Sequence, residues 1–442
     1  MSEKIMKKSR VLISALLGTV MIAALTIWGC GTSSYSDPAA SANITTTKTA
    51  NALIDAATLK GWMDEGKVNA PVANNYDRVV ILSVTGPTTS ATATGYIGYN
   101  TLHIPGAQLW DSTSKLGYTR REAIADMTTM VPDGASMDAL IKSFGINKYT
   151  TVVFTVSKSQ NFLYAARAYF TFRYWGFPKE RLKVLNGGDD AWANAAYAMT
   201  NVIPNITPST YSVCNNYTGN YTSFGIRYSI GEMISLVDKV NAGTESTANA
   251  DGITILDVRG PNADTTYDYD TAHIAGAIKD NYNSYGTTSG TNNVGTVATP
   301  VNAPKTRAFN GTAPLTVSTK KMNYIYCVSG YRASVPFFVL DGILGWPATM
   351  YDGSWGQWNS YQGAANLPDV NGTPSMWRVD TNSRSFGTLT GTPPISDNLY
   401  LGFTSVLDPE ANQILKADKI YFSTPPVSTS TGGGAAGGAS GC

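Results

Sequence analysis

Cys327 opens the run Cys327-Val328-Ser329-Gly330-Tyr331-Arg332, between a short apolar stretch, Tyr324-Ile325-Tyr326, and a longer one from Ala333 to Leu344. A cysteine placed where a buried strand gives way to a helix N-terminus faces backbone N–H groups and the positive end of a helix dipole, both of which favour a thiolate. The N–H groups of Val328 through Arg332 are expected to curl round the sulfur as an anion nest, with Gly330 supplying the backbone angle the curl needs. Arg332 closes the loop and would either hold backbone carbonyls or meet an anionic substrate. A loop of this kind can cradle a phosphoryl group or a persulfide, and in both cases Cys327 would be the covalent nucleophile.

Loop length separates the two chemistries. The cysteine phosphatases use a Cys-x5-Arg loop, whereas Arg332 lies five positions after Cys327, one residue short for phosphate. The six-residue loop resembles that of the rhodaneses, sulfurtransferases that carry sulfane sulfur as a cysteine persulfide. The resemblance extends upstream to Ile255-Leu256-Asp257-Val258-Arg259 and His273-Ile274-Ala275-Gly276-Ala277, and downstream to Tyr351-Asp352-Gly353-Ser354-Trp355-Gly356-Gln357-Trp358.

The unit is present twice. The chain has two histidines, and both open the same pentapeptide pattern: His103-Ile104-Pro105-Gly106-Ala107 and His273-Ile274-Ala275-Gly276-Ala277. In the first half Thr151 to Phe154 reads as the strand before the loop, Ala165 to Phe170 as the helix after it, and Val184 to Gly188 with Trp192 as the closing signature. Where the nucleophile should stand, at Thr155 to Ser159, there is no cysteine. This is similar to the tandem thiosulfate and 3-mercaptopyruvate sulfurtransferases, whose first domain has lost the thiol.

The resemblance implies a Cys327 persulfide loaded from thiosulfate or 3-mercaptopyruvate and discharged to a thiol or cyanide. Asp257 and Arg259 are expected to pair with neighbours and so fix the loops beside the active site, and Tyr331 either covers the pocket mouth or sits on its rim. Repetition of the histidine motif in a copy without a nucleophile makes His103 and His273 structural turn residues. Arg332 departs from the threonine usual in the tandem enzymes, and Val328 and Ser329 replace the basic residues of the thiosulfate type, so the donor stays open. The readings that compete are thiol-dependent handling of selenium or tellurium oxyanions, and a carrier or assembly subunit of an envelope complex that does not turn over. Neither the histidines nor the four cysteines show metal-ligand spacing, so no metal or cofactor is expected.

The elements that position these residues read as alternating strands (Val79 to Val84, Thr151 to Thr155, Ile253 to Val258, Asn323 to Tyr326) and helices (Leu53 to Asp64, Leu163 to Tyr174, Ile230 to Val240, Ala333 to Leu344). Such alternation predicts an α/β fold: two tandem rhodanese domains, each a mainly parallel sheet with helices on both faces, plus a C-terminal extension. Ser229-Ile230-Gly231-Glu232 fits a capping box. The expected organisation is an export signal or membrane anchor over 1–30, a flexible spacer over 31–50, a first domain over 51–200, a linker over 201–225, the catalytic domain over 226–362, and an extension with a Gly-rich tail over 363–442. Asn283 to Val301, dense in Gly, Thr and Asn, reads as an insertion before the catalytic strand.

Basic and acidic residues balance, 32 against 31, which gives no excess charge for nucleic acid. Sparse charge, at 14%, and an N-terminus of Lys4, Lys7, Lys8 and Arg10 followed by the apolar run Val11 to Trp28 suggest bacterial export. Gly29-Cys30 resembles a lipoprotein processing site, which would lipidate Cys30 and tether the protein to the periplasmic side of the envelope; the alternative is an uncleaved anchor. Cys442, at the end of a flexible tail, would act as a swinging sulfur acceptor, pair with Cys214 as a disulfide, or play no part.

Overall fold

The computed structural model describes residues 47–71, 77–88, 96–122, 125–259, 269, 273–285, 320–362, 379–380 and 412–424. Cys30, Cys442 and the ordered element expected at Asn398 to Val406 lie outside them, as does most of the insertion. Among the described residues no helix is long and apolar enough to cross a membrane. The expected spacer is structured at its end: Thr47 is buried, its backbone N–H donates to Asp77 and its hydroxyl lies 3.0 Å from the same carboxylate.

The first repeat runs β1 (Leu53–Ile54), a helix Ala56–Asp64, β2 (Val79–Thr85), β3 (Gln108–Asp111), a hairpin of β4 (Tyr118–Glu122) and β5 (Ala125–Met130), a helix Gly134–Ser143, β6 (Thr151–Thr155), a helix Leu163–Tyr174, β7 (Leu182–Leu185) and a helix Gly188–Asn194. The helix expected from Leu53 starts later because Asp55 caps it, accepting the Thr58 N–H at 2.8 Å, while Leu53 and Ile54 pair with β7. The second repeat runs β8 (Arg227–Tyr228), a helix Ile230–Asn241, β9 (Thr254–Asp257), β10 (His273–Ile274), β11 (Ala277–Lys279), β12 (Asn323–Tyr326), a helical segment from Ser334 to Leu344, β13 (Ala348–Tyr351) and a helix Ser354–Gln362. The capping box forms: Glu232 accepts the Ser229 N–H at 2.9 Å and the Ser229 hydroxyl accepts the Glu232 N–H at 3.1 Å.

Two parallel five-stranded sheets result, with orders β1-β7-β6-β2-β3 and β8-β13-β12-β9-β11, which are the same topology met twice. Continuous apolar strands are what a sheet buried on both faces requires. Along β2, Val79 and Ile81 pack with Leu59 and Trp192 on one face, and Val80 and Leu82 with Leu140 and Ala168 on the other. That second cluster continues into the other repeat through Ile325, Phe337 and Met350, so the two sheets share one core.

The helices that follow the two loops pack on each other, with Phe170 edge-on to Phe337 at 5.1 Å and Tyr169 edge-on to Phe338 at 4.9 Å. The helix expected over Ala333 to Leu344 is α-helical only over Ser334–Phe337 and continues as a π-helix over Phe338–Leu344, ended by left-handed Gly345. Pro336 removes one backbone donor from the first turn, and Asp341, on the widened turns, receives the Tyr169 hydroxyl at 2.8 Å and Arg173 Nε at 2.9 Å from the other repeat.

The C-terminal extension touches both repeats. β14 (Val379–Asp380) pairs antiparallel with β10. The helix Gln413–Ser423 absorbs the apolar run Ile420 to Phe422 and docks by a buried charge pair, Asp418 to both terminal nitrogens of Arg120 at 2.7 and 2.8 Å, with the Tyr174 hydroxyl at 2.7 Å. Gly134 makes room for Tyr421 there. Cys214 sits in a short 3-10 turn, Val213–Asn216, beneath this helix as a free, buried thiol within hydrogen-bond distance of the Tyr421 and Thr424 carbonyls.

Candidate active site

Cys327 emerges from the carboxyl end of β12, 1% exposed. Its sulfur accepts the Gly330 N–H at 3.1 Å. Gly330 holds φ +82°, and a Cβ there would lie 2.9 Å from the Asp352 carbonyl and 3.1 Å from Arg167, so both conformation and space demand glycine. Arg332 donates to the Arg259 carbonyl at 3.1 Å and lies over the Tyr282 ring, 5.5 Å from its centroid. Val328 and Ser329 line the outer turn, with the Val328 carbonyl accepting the Gly356 N–H at 2.9 Å.

Asp257 and Arg259 pair with each other at 2.6 Å, both fully buried. Arg259 stacks on Trp355, 4.2 Å from the ring centroid, and Asp257 also accepts the Tyr326 hydroxyl at 2.6 Å. Burial, followed by the Asp257 charge, pushes the Tyr326 phenol well above its ordinary range, so it stays a donor.

Strand register locates the lost nucleophile. Tyr326 stands opposite Asp257 and Thr155 opposite Ser83, at matching places in the two sheets, so Val156 occupies the position of Cys327. The first copy keeps the shape of the loop: Ser159, the counterpart of Gly330, also takes a left-handed angle, φ +60°. Asp189 replaces Trp355; its carboxylate accepts the Thr155 hydroxyl at 2.8 Å, and burial pushes its pKa up to about 7.

Ser354 is the counterpart of Gly188, and both are left-handed, at φ +53° and +54°. A Cβ at Gly188 would lie 2.9 Å from both a methyl and the carbonyl oxygen of Val156, whereas the second copy has room there for the side chain of Ser354. The strained serine uses that room: its hydroxyl accepts the Cys327 N–H at 3.3 Å and donates to the Tyr351 carbonyl at 2.9 Å. Ser354→Ala is therefore expected to lose about 1 kcal/mol of stability in denaturant titration, and Ser354→Gly less, because glycine relaxes the backbone while losing the same bond. Both should change the rate at which iodoacetamide alkylates Cys327, by about fivefold; equal stability losses would remove the strain argument, and an unchanged alkylation rate would remove the role of the hydroxyl.

The first repeat contributes charge to the site. Arg167, from the helix Leu163–Tyr174, donates to Asp352 at 2.6 Å and to the Thr129 carbonyl at 2.6 Å, and its guanidinium lies 5.6 Å from the Tyr331 ring centroid. The other Asp352 oxygen accepts Arg227 Nε and the Val131 N–H, both at 3.1 Å, and Arg227 forks onto Glu122 at 3.1 and 3.2 Å. All four charged side chains are fully buried. Burial would raise the Asp352 carboxyl, but Arg167 and Arg227 hold it below the usual range; at Glu122 burial prevails and pushes the carboxyl up. Sequence reading missed this network, whose one visible sign was Arg167 set among the apolar residues Ala165 to Phe170. Tyr331 is half-buried and meets Tyr164 edge-on at 6.1 Å.

Both histidines are turn residues. His103 Nδ1 meets the Tyr99 carbonyl at 2.7 Å and His273 Nδ1 the Tyr269 carbonyl at 2.9 Å, each ring stacked on that tyrosine at 3.9 and 3.7 Å. The tyrosine hydroxyls close the turns on Ala107 and Ala277. Among the described residues no three His, Cys, Asp or Glu side chains gather as a metal site.

The paired parallel sheets, with helices on both faces and a loop cysteine in the second, are consistent with the rhodanese-like α/β fold. The sulfur carrier protein TtuD of Thermus thermophilus is 28% identical over 279 residues, 60% of this chain and 85% of that one. A thiosulfate sulfurtransferase of Corynebacterium glutamicum is 27% identical over 274 residues, 59% and 78% of the two chains. These similarities support a sulfurtransferase family. No family model matches the chain. The crystal structure of YnjE superposes with a TM-score of 0.47 and 18% identity, over 70% of this chain and 66% of that one.

Proposed function

We propose that the protein is a sulfurtransferase working through a persulfide at Cys327. The observation that carries this reading is the cysteine at the end of β12, inside a six-residue loop whose Gly330 N–H points at its sulfur. The Cys327 thiolate attacks the outer sulfur of thiosulfate; the new S–S bond forms as the old one breaks and sulfite leaves with the electron pair. With 3-mercaptopyruvate the carbon–sulfur bond breaks instead, and pyruvate leaves after taking up the thiol proton. An acceptor thiolate then attacks the outer persulfide sulfur and returns Cys327 as thiolate, so the cycle needs no external oxidant or reductant. The Gly330 N–H is placed to stabilise the anionic sulfur in each state.

The test is intact-mass spectrometry of the full chain after exposure to each donor. One added sulfur, removed by a thiol and regenerated over many cycles, is the expected result. No added sulfur with either donor would remove the reading. Loading without repeated discharge would favour a carrier, the role named for the Thermus relative.

A further inference from the structure

The first domain keeps the shape of the active loop and an open cleft above it. Val156 to Asn161 match Cys327 to Arg332 in register, with the left-handed residue at the same place. Over this loop lies a cleft of about 610 Å³, within the size range of small-molecule sites, roughly 300–1,000 Å³. Its walls come from residues just after three adjacent parallel strands: Thr88 beyond β2, Thr113 beyond β3, and Ser159 to Asn161 beyond β6. The carboxyl ends of neighbouring strands are where open α/β sheets bind ligands. Val156 cannot act as a nucleophile, so the loop beneath the cleft is suited to binding alone.

The lining states the ligand's chemistry. Hydroxyls and amides (Thr88, Ser112, Ser159, Gln160) alternate with the rings of Tyr96 and Tyr164, and among the described residues no charged side chain lines the cleft. Walls of this kind suit a neutral, polyhydroxylated molecule held by hydrogen bonds and ring contacts, and give no purchase to a carboxylate or an ammonium. Tyr164, which lines the cleft, also meets Tyr331 of the active loop edge-on at 6.1 Å, so one ring pair joins the cleft wall to the Cys327 loop. We infer that the cleft of the first domain binds the neutral, sugar-like part of the thiol that accepts sulfur from Cys327, an inference that rests on the persulfide function proposed above.

The experiment uses the full chain, thiosulfate as donor, and 1-thio-β-D-glucose, 2-mercaptoethanol and mercaptosuccinate as acceptors, beside Thr88→Trp, which fills the cleft away from Cys327. The expected result is a KM for thioglucose about tenfold below those of the other two thiols, a difference that Thr88→Trp abolishes while the rate of sulfur loading from thiosulfate stays unchanged. Glucose itself should quench the tyrosine fluorescence of the wild type saturably and that of the variant not at all. Normal loading with equal acceptor KM values, or a thioglucose preference that survives the tryptophan, would overturn the inference and leave the persulfide function standing. Absence of loading in the wild type would remove the function itself and the acceptor role with it; saturable glucose binding lost in Thr88→Trp would then preserve the cleft as a sugar site, and its absence would overturn that too.

Discussion

Cys327→Ser is expected to take up no sulfur from thiosulfate or 3-mercaptopyruvate, a loss of at least about a thousandfold in turnover, while unfolding within about 1 kcal/mol of the wild type. The hydroxyl fits the cavity and can still accept the Gly330 N–H, so the loop retains its bond. It cannot form a persulfide. Cys214 will not take over: it lies beneath the helix Gln413–Ser423, and burial pushes its thiol up, the reverse of what a nucleophile needs. Intact mass and a denaturant titration on the same preparation separate lost chemistry from lost fold. A serine variant that still gains one sulfur would place the carrier thiol elsewhere and remove the assignment of Cys327.

Sequence made the repeat legible because its landmarks are local. The Tyr99 to His103 and Tyr269 to His273 turns, the strands before each loop and the closing signatures are each set by residues within a few positions of one another. The helix Leu163–Tyr174 and the Ser229 capping box fall where patterning puts them, because burial and caps are local signals too. The first helix misleads by three residues, since the pairing of Leu53 and Ile54 with β7 is a contact made over 130 positions away. In sequence Ser354 is one residue of the closing motif; its left-handed angle gains meaning beside Gly188 at the same place in the first copy. The return of the C-terminal helix onto Arg120 spans 298 positions and leaves no periodic trace in either segment.

Arg167→Met is expected to destabilise the protein by about 3–5 kcal/mol, the usual consequence of removing one partner from a buried ion pair. The group Arg167, Asp352, Arg227 and Glu122 holds two positive and two negative charges, all fully buried, and the substitution leaves it one negative charge in excess. Asp352 would keep Arg227 and the Val131 N–H but lose its shortest bond, at 2.6 Å. Lys at this position restores the charge but cannot both reach Asp352 and hold the Thr129 carbonyl in the fork geometry of arginine, so Arg167→Lys should recover part of the loss. The pH dependence has a definite sign. The folded pKa of Asp352 lies below its ordinary value, so its contribution is present above that value and is lost as pH falls through the folded pKa. Removing Arg167 raises the folded pKa, and the gap between wild type and variant should therefore be widest near neutral pH and narrow on acidification. Because Asp352 packs its carbonyl and carboxylate around the Gly330 position, and Arg167 faces Tyr331, the same variant should slow sulfur loading where it remains folded. A double-mutant cycle with Asp352→Asn isolates the pair. A coupling near zero would mean that the first domain merely covers the loop; a coupling of about 2 kcal/mol or more would mean that the copy without a nucleophile helps to set the geometry of the one that has it.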